Sequence, residues 1–69
     1  MHFMNRAATG ASLRRARRAA HLRQLDVARW MGVSYVRISA LENAARVTPA
    51  AEARVLAAIA DAVREREAA

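Results

Sequence analysis

Cysteine and lysine are absent from this 69-residue chain, proline occurs once, glycine twice, and the aromatic residues are one Phe, one Tyr and one Trp. Each scarcity excludes something. Without cysteine there is no disulfide staple, no thiolate metal site and no thiol nucleophile, and the redox state of the compartment leaves no mark on the sequence. Arginine interrupts every candidate apolar window, which excludes a membrane span and the apolar stretch of a signal peptide. The chain is expected to be soluble and unexported. A length of 69 residues leaves room for one small domain and no second.

What remains is helix-forming and basic. Nineteen residues are Ala and all twelve basic residues are Arg, both strong helix formers, so an all-α fold follows almost from counting. Twelve arginines against six acids give a formal charge of +6 and a pI near 11.7, which calls for a polyanionic partner, nucleic acid or anionic lipid. The charge is uneven. Residues 1–37 hold eight arginines against Asp26 alone, whereas residues 38–69 hold four against five acids.

Residues 1–8 have no hydrophobic period and read as an arm, ordered only where Phe3 or Met4 finds an apolar groove. Thr9 is placed to cap a first helix over about 10–20, with Leu13, Ala16 and Ala20 inward and Arg14, Arg15 and Arg18 outward. A second helix over about 24–31 places Val27, Ala28 and Met31 on one face, and Gly32 stands where a left-handed residue would end it. Ser34 can cap a third, over about 35–43, anchored by Ile38 and Leu41. Thr48-Pro49 is the sharpest start signal in the chain, a capping hydroxyl followed by proline at the first helical position. The helix it opens carries an apolar stripe of Leu56, Ile59, Ala60 and Val63 and is expected to run to about residue 66.

The segment HLRQLDVARWMGVSYVRISALENA, residues 21–44, is thus two short helices joined by a glycine-containing turn, the second half polar. It resembles the Cro and repressor (XRE-type) helix-turn-helix family of phage and bacterial transcription regulators. Leu22, Gln24, Val27, Ala28, Met31, Gly32, Val33 and Ser34 match that pattern, followed by Ile38, Ser39, Leu41, Glu42, Asn43 and Thr48-Pro49, and preceded by Gly10, Leu13 and Arg17. The match covers roughly residues 10–63, without a gap across the first three helices. It implies a compact, all-α, lambda-repressor-like bundle of four or five helices: an arm over 1–8, a DNA-binding domain over 9–66 and a frayed end over 67–69. Four departures stand out. His21 and Ala44 stand where relatives have glycine, so Ala44 would bear a left-handed penalty of roughly 1 kcal/mol and make the turn after Asn43 irregular. Leu25 and Trp30 replace residues that are commonly charged, which leaves more apolar surface on the second helix.

By the same resemblance the third helix reads bases in the major groove through Tyr35, Val36, Arg37, Ser39 and Ala40, with Arg37 as the residue best suited to guanine. Phosphate contacts would come from Arg17, Arg23, Gln24, Ser34, Asn43 and Arg46. Arg17 and Glu42 stand where relatives form an ion pair between the first and third helices. One short helix reads few bases, so two copies on half-sites about 34 Å apart are expected, a homodimer at least on DNA. Its candidate surfaces are Leu25, Trp30, Val55, Ile59 and Val63.

The partner implied is operator DNA in a bacterial or phage-infected cytoplasm, with no cofactor, no metal, no membrane and no small-molecule substrate. With no effector domain after the last helix, a Cro-like regulator or a small antitoxin binding a toxin is favoured over a two-domain repressor. A basic amphipathic module binding a membrane or a protein is the rival from another class. Catalysis lacks a cast. His2 and His21 have no ligand spacing, Asp26, Asp61, Glu65 and Glu67 have no pocket, and Ser12, Ser34 and Ser39 have no base partner. The Arg14, Arg15, Arg17, Arg18 cluster by itself is more often a solvated face, and Trp30 is expected to pack against the arm or last helix rather than stack on a base.

Overall fold

Every helix but one begins where a side-chain oxygen takes a backbone N–H that the helix cannot satisfy. In this computed structural model, which describes residues 8–69, the helices are α1 (Gly10–Ala19), α2 (Gln24–Met31), α3 (Tyr35–Glu42) and α4 (Pro49–Ala68). Thr9 accepts from the Ser12 backbone at 3.1 Å, and Ser12 returns the contact through its hydroxyl, closing a reciprocal cap. Ser34 accepts from the Arg37 amide and Thr48 from the Ala51 amide, with Pro49 as the first residue of α4. The exception is α2. Arg23 offers no oxygen, and the Asp26 carboxylate instead accepts from the Arg23 amide at 2.8 Å, near the positive end of the helix dipole.

The ends of α1 and α2 share one geometry with different residues. After α2, Gly32 is left-handed (φ 71°, ψ 31°), its N–H donates to the Arg29 carbonyl, and the Val33 N–H donates to Ala28. After α1, His21 is left-handed at φ 58°, its N–H donates to Arg18, and the Leu22 N–H donates to Arg17. Both are Schellman endings, and each throws the next apolar residue, Leu22 or Val33, back toward the core. A side chain held left-handed costs roughly 1 kcal/mol that glycine does not bear. His21→Gly is therefore expected to raise the melting temperature by about 2–5 °C, part of the gain being lost to the freer unfolded chain. A lower melting temperature would show that the His21 side chain itself holds the turn.

The core is made by all four helices. Leu13, Leu22, Val27, Ala28, Ile38, Val47, Val55, Ala58, Ile59 and Ala62 are buried, and α4 packs against α2 and α1 while α3 packs against both α1 and α2. Among the described residues there is no strand, only one isolated antiparallel bridge between Ala8 and Val47, with the Val47 N–H donating to the Ala8 carbonyl at 2.9 Å. Ala8 is thereby part of the domain. The rest of the arm expected over residues 1–8 lies outside the described residues. Four helices, not five, are present among these, and α4 reaches Ala68, past the expected end.

Two expectations are corrected. Val55 and Ile59, candidates for a dimer surface, are core residues, and Val63 is half-buried against the same core. They are spent inside the domain. The turn after Asn43 needs no left-handed residue: Ala44 closes α3 through a short-range bond from its N–H to the Leu41 carbonyl, and His21 is the one non-glycine residue at positive φ among those described.

Candidate nucleic-acid interface

The turn from α2 into α3 is three residues, Gly32, Val33 and Ser34, and it sets α3 across α2 with one side against the core. At about 100° per residue, buried Ile38 and Glu42 and half-buried Leu41 fix that inner side. Val36 and Ala40 then point most directly away from it. Arg37 lies about a quarter-turn to one side, Ser39 about as far to the other, and Tyr35 beyond it, about a third of a turn from the outermost line. All but Ser39, which is half-buried, are exposed, with Tyr35 at 54% and Val36 at 61%. So α3 presents a free outer face.

What anchors α3 is a charge, not only its two aliphatic residues. Glu42 is buried, with 4% exposure, and every one of its partners comes from another helix. Arg17 of α1 donates from Nε to Oε2 at 2.6 Å and from Nη2 to Oε1 at 2.9 Å, the bidentate fork that suits guanidinium and carboxylate. Gln24 of α2 donates to Oε1 at 3.1 Å. Arg17 also donates through Nη1 to the Leu22 carbonyl at 2.9 Å, so one side chain ties the end of α1, the loop before α2 and the end of α3. Among the described residues no buried side-chain polar atom lacks a partner.

Burial alone would push the Glu42 carboxyl up, but the hydrogen bonds from Arg17 and Gln24, with the attraction of Arg17 and Arg14, outweigh it and hold it below the usual range. The hydrogen bond to Glu42 raises Arg17 further, against its desolvation. Asp26 is likewise lowered, chiefly by the Arg23 side chain and then by the Arg23 amide.

These contacts sort the expected DNA ligands. The expected ion pair of Arg17 and Glu42 is present, and it takes Arg17 out of the set of phosphate contacts, since the side chain is 13% exposed with three donors engaged inside the domain. Gln24 stands at the amino end of α2, half-buried, with its amide directed at Glu42. Arg23 is exposed but paired with Asp26, at 2.9 Å between Nη2 and Oδ1. Asn43 donates to the Ser39 carbonyl, Ser34 caps α3, and Arg46 is exposed in the loop between α3 and α4. On α1, Arg15 and Arg18 are exposed and Arg14 is half-buried.

The role of Gln24 as an internal partner of Glu42 was not visible in the sequence, because the two residues are 18 positions apart and no local pattern links them. Leu25 and Trp30 are nearly half exposed on α2, as expected from their departure from the family pattern. Trp30 borders a hollow of about 480 Å³ shared with Leu22 and Ala62, with Glu65 and Arg66 of α4 across from it. Arg66 closes this end of the molecule, donating to the Ala20 carbonyl at 2.8 Å, where the end of α1 carries negative dipole charge.

A family model described as a helix-turn-helix domain matches residues 8–69, consistent with the resemblance carried by residues 21–44. No curated protein and no solved structure matches the chain.

Proposed function

Because the chain belongs to the helix-turn-helix domain family, we propose that it is a sequence-specific, double-stranded DNA-binding transcription regulator of the Cro and repressor type, which lays α3 in the major groove of an operator. The observation that carries this reading is the free outer face of α3, held rigidly from behind by Glu42 through α1 and α2. A groove about 12 Å wide admits one such helix. Tyr35, Val36, Arg37, Ser39 and Ala40 face the bases, and Arg23, Gln24, Ser34, Asn43 and Arg46 serve the phosphates, Gln24 through whatever donor capacity Glu42 leaves it. The protein works in the cytoplasm as a homodimer on two half-sites, with Leu25 and Trp30 of α2 as the remaining candidate contact, since Val55 and Ile59 are buried.

Two arginines separate base reading from backbone contact. Arg37→Ala is expected to lower affinity for the preferred operator about 5- to 100-fold and to relax choice at one base pair, while Arg46→Ala weakens all duplexes alike and lowers the salt slope by about one. Titration of selected and random duplexes at several salt concentrations checks this. Equal loss on every sequence from Arg37→Ala makes it a phosphate contact. Equal binding of all duplexes at physiological salt, with binding to anionic vesicles, would reject the DNA reading in favour of a membrane-surface module.

A further inference from the structure

The outer face of α3 carries an unusual chemistry for a helix that reads sequence. The two side chains directed most squarely away from the core, Val36 and Ala40, have no hydrogen-bonding group, and Val36 is 61% exposed. Arg37 and Ser39 sit at the flanks of that face. Asn43, which shares its direction at the far end, has its amide nitrogen donated to the Ser39 carbonyl. The centre of the face can therefore make only apolar contact. In the major groove one apolar group is available on a base edge, the C5-methyl of thymine.

We propose that Val36 and Ala40 read thymine C5-methyl groups, and that this methyl contact, rather than a hydrogen bond, sets base preference at the middle of each half-site. The proposal rests on the DNA reading above. The two residues are four apart, so their Cα atoms are about 6 Å apart along the helix, close to two base-pair steps of about 3.4 Å. They reach methyl groups on neighbouring or next-neighbouring pairs. Ala40, with one carbon, lets the α3 backbone approach closely, while the two methyls of Val36 fill the gap one turn earlier. Tyr35 and Arg37 then bracket the apolar strip with groups that can bond phosphate or guanine.

The experiment uses the full chain. A preferred duplex is selected from a random pool, then resynthesised with uracil in place of thymine at one position at a time, which removes only the methyl group. At the positions facing Val36 and Ala40 the substitution is expected to weaken binding about three- to fivefold, the effect of one buried carbon. At the same positions, cytosine and 5-methylcytosine duplexes are expected to differ by a similar factor. Val36→Ala, at an exposed site that leaves the core intact, is expected to erase most of the thymine-to-uracil difference at one position, whatever it costs in affinity for both duplexes. A preferred duplex whose thymine and uracil forms bind alike at every position, or a difference that Val36→Ala leaves intact, overturns the inference alone. A pool with no preferred sequence overturns the DNA reading together with it.

Discussion

Replacing Arg17 with alanine is expected to lower the unfolding free energy by about 3 kcal/mol, because it strands a buried carboxylate. Glu42 is nearly inaccessible to water, and Arg17 supplies two of its three side-chain hydrogen bonds and its counter-charge. For a domain of this size, with a total stability on the order of 5 kcal/mol, that loss moves the melting temperature down by about 15 °C. It also loosens α3 from α1, so affinity for every duplex falls together. The loss depends on pH in a defined direction. Because Glu42 is held below its ordinary value of 4.5, its contribution is present above that pH and is lost as pH falls through the lowered value. The gap between the unaltered protein and Arg17→Ala is therefore expected to shrink below about pH 4, as Glu42 becomes neutral in both. Replacing both partners, Arg17→Met with Glu42→Leu, should restore much of the stability, since the damage comes from an unpaired charge. Thermal unfolding of the three proteins between pH 3 and 7 measures this, and an unchanged melting temperature for Arg17→Ala would remove the strut from the account.

Gly10→Ala is expected to cost about 3 kcal/mol as well, by steric overlap between the other end of α1 and the same carboxyl end of α3. A Cβ on Gly10 would lie 2.5 Å from the Glu42 carbonyl oxygen and overlap the Leu41 carbonyl. Both are backbone atoms of α3 and cannot swing aside. The Gly10 N–H also donates to the Ala44 carbonyl at 3.0 Å, so lifting α1 to admit the methyl group breaks that bond too. Helix propensity alone gives the opposite sign, a gain of up to about 1 kcal/mol for alanine over glycine. The sign of the change in denaturation midpoint thus decides whether steric overlap or helix propensity prevails. Arg17 and Gly10 act on the same object, the carboxyl end of α3, and so hold the groove-entering helix at both edges of its contact with α1.

Local chemistry made the helix starts and stops legible in the sequence. Thr9, Ser34 and Thr48-Pro49 each cap the helix expected of them, and Gly32 is left-handed where a stop was required. Those signals act over three or four residues, which is the range a sequence displays. The inner and outer sides of α4 were harder, because alanine lines both: Ala58 and Ala62 are buried, whereas Ala50, Ala53, Ala57 and Ala60 are exposed. With so little contrast around the helix, Val55 and Ile59 read as a partner surface although they fill the core. The polar site was legible in part: the pairing of Arg17 with Glu42 is the one the resemblance implied, whereas Gln24 looks like a surface ligand by itself, and only the burial of Glu42, 18 residues away, draws it inward. Nothing local to Ala44 shows that its carbonyl receives the Gly10 N–H, a contact between distant segments that holds the loop without a left-handed residue.

Amide chemical shifts recorded while a selected duplex is added show whether α3 itself enters the groove. Tyr35, Val36, Arg37 and Ala40 are expected to shift most, together with the amino end of α2, while the outer face of α4 at Ala53, Leu56 and Ala57 stays in place. Large shifts along α1 and α4, with those of α3 unmoved, would contradict groove entry by α3.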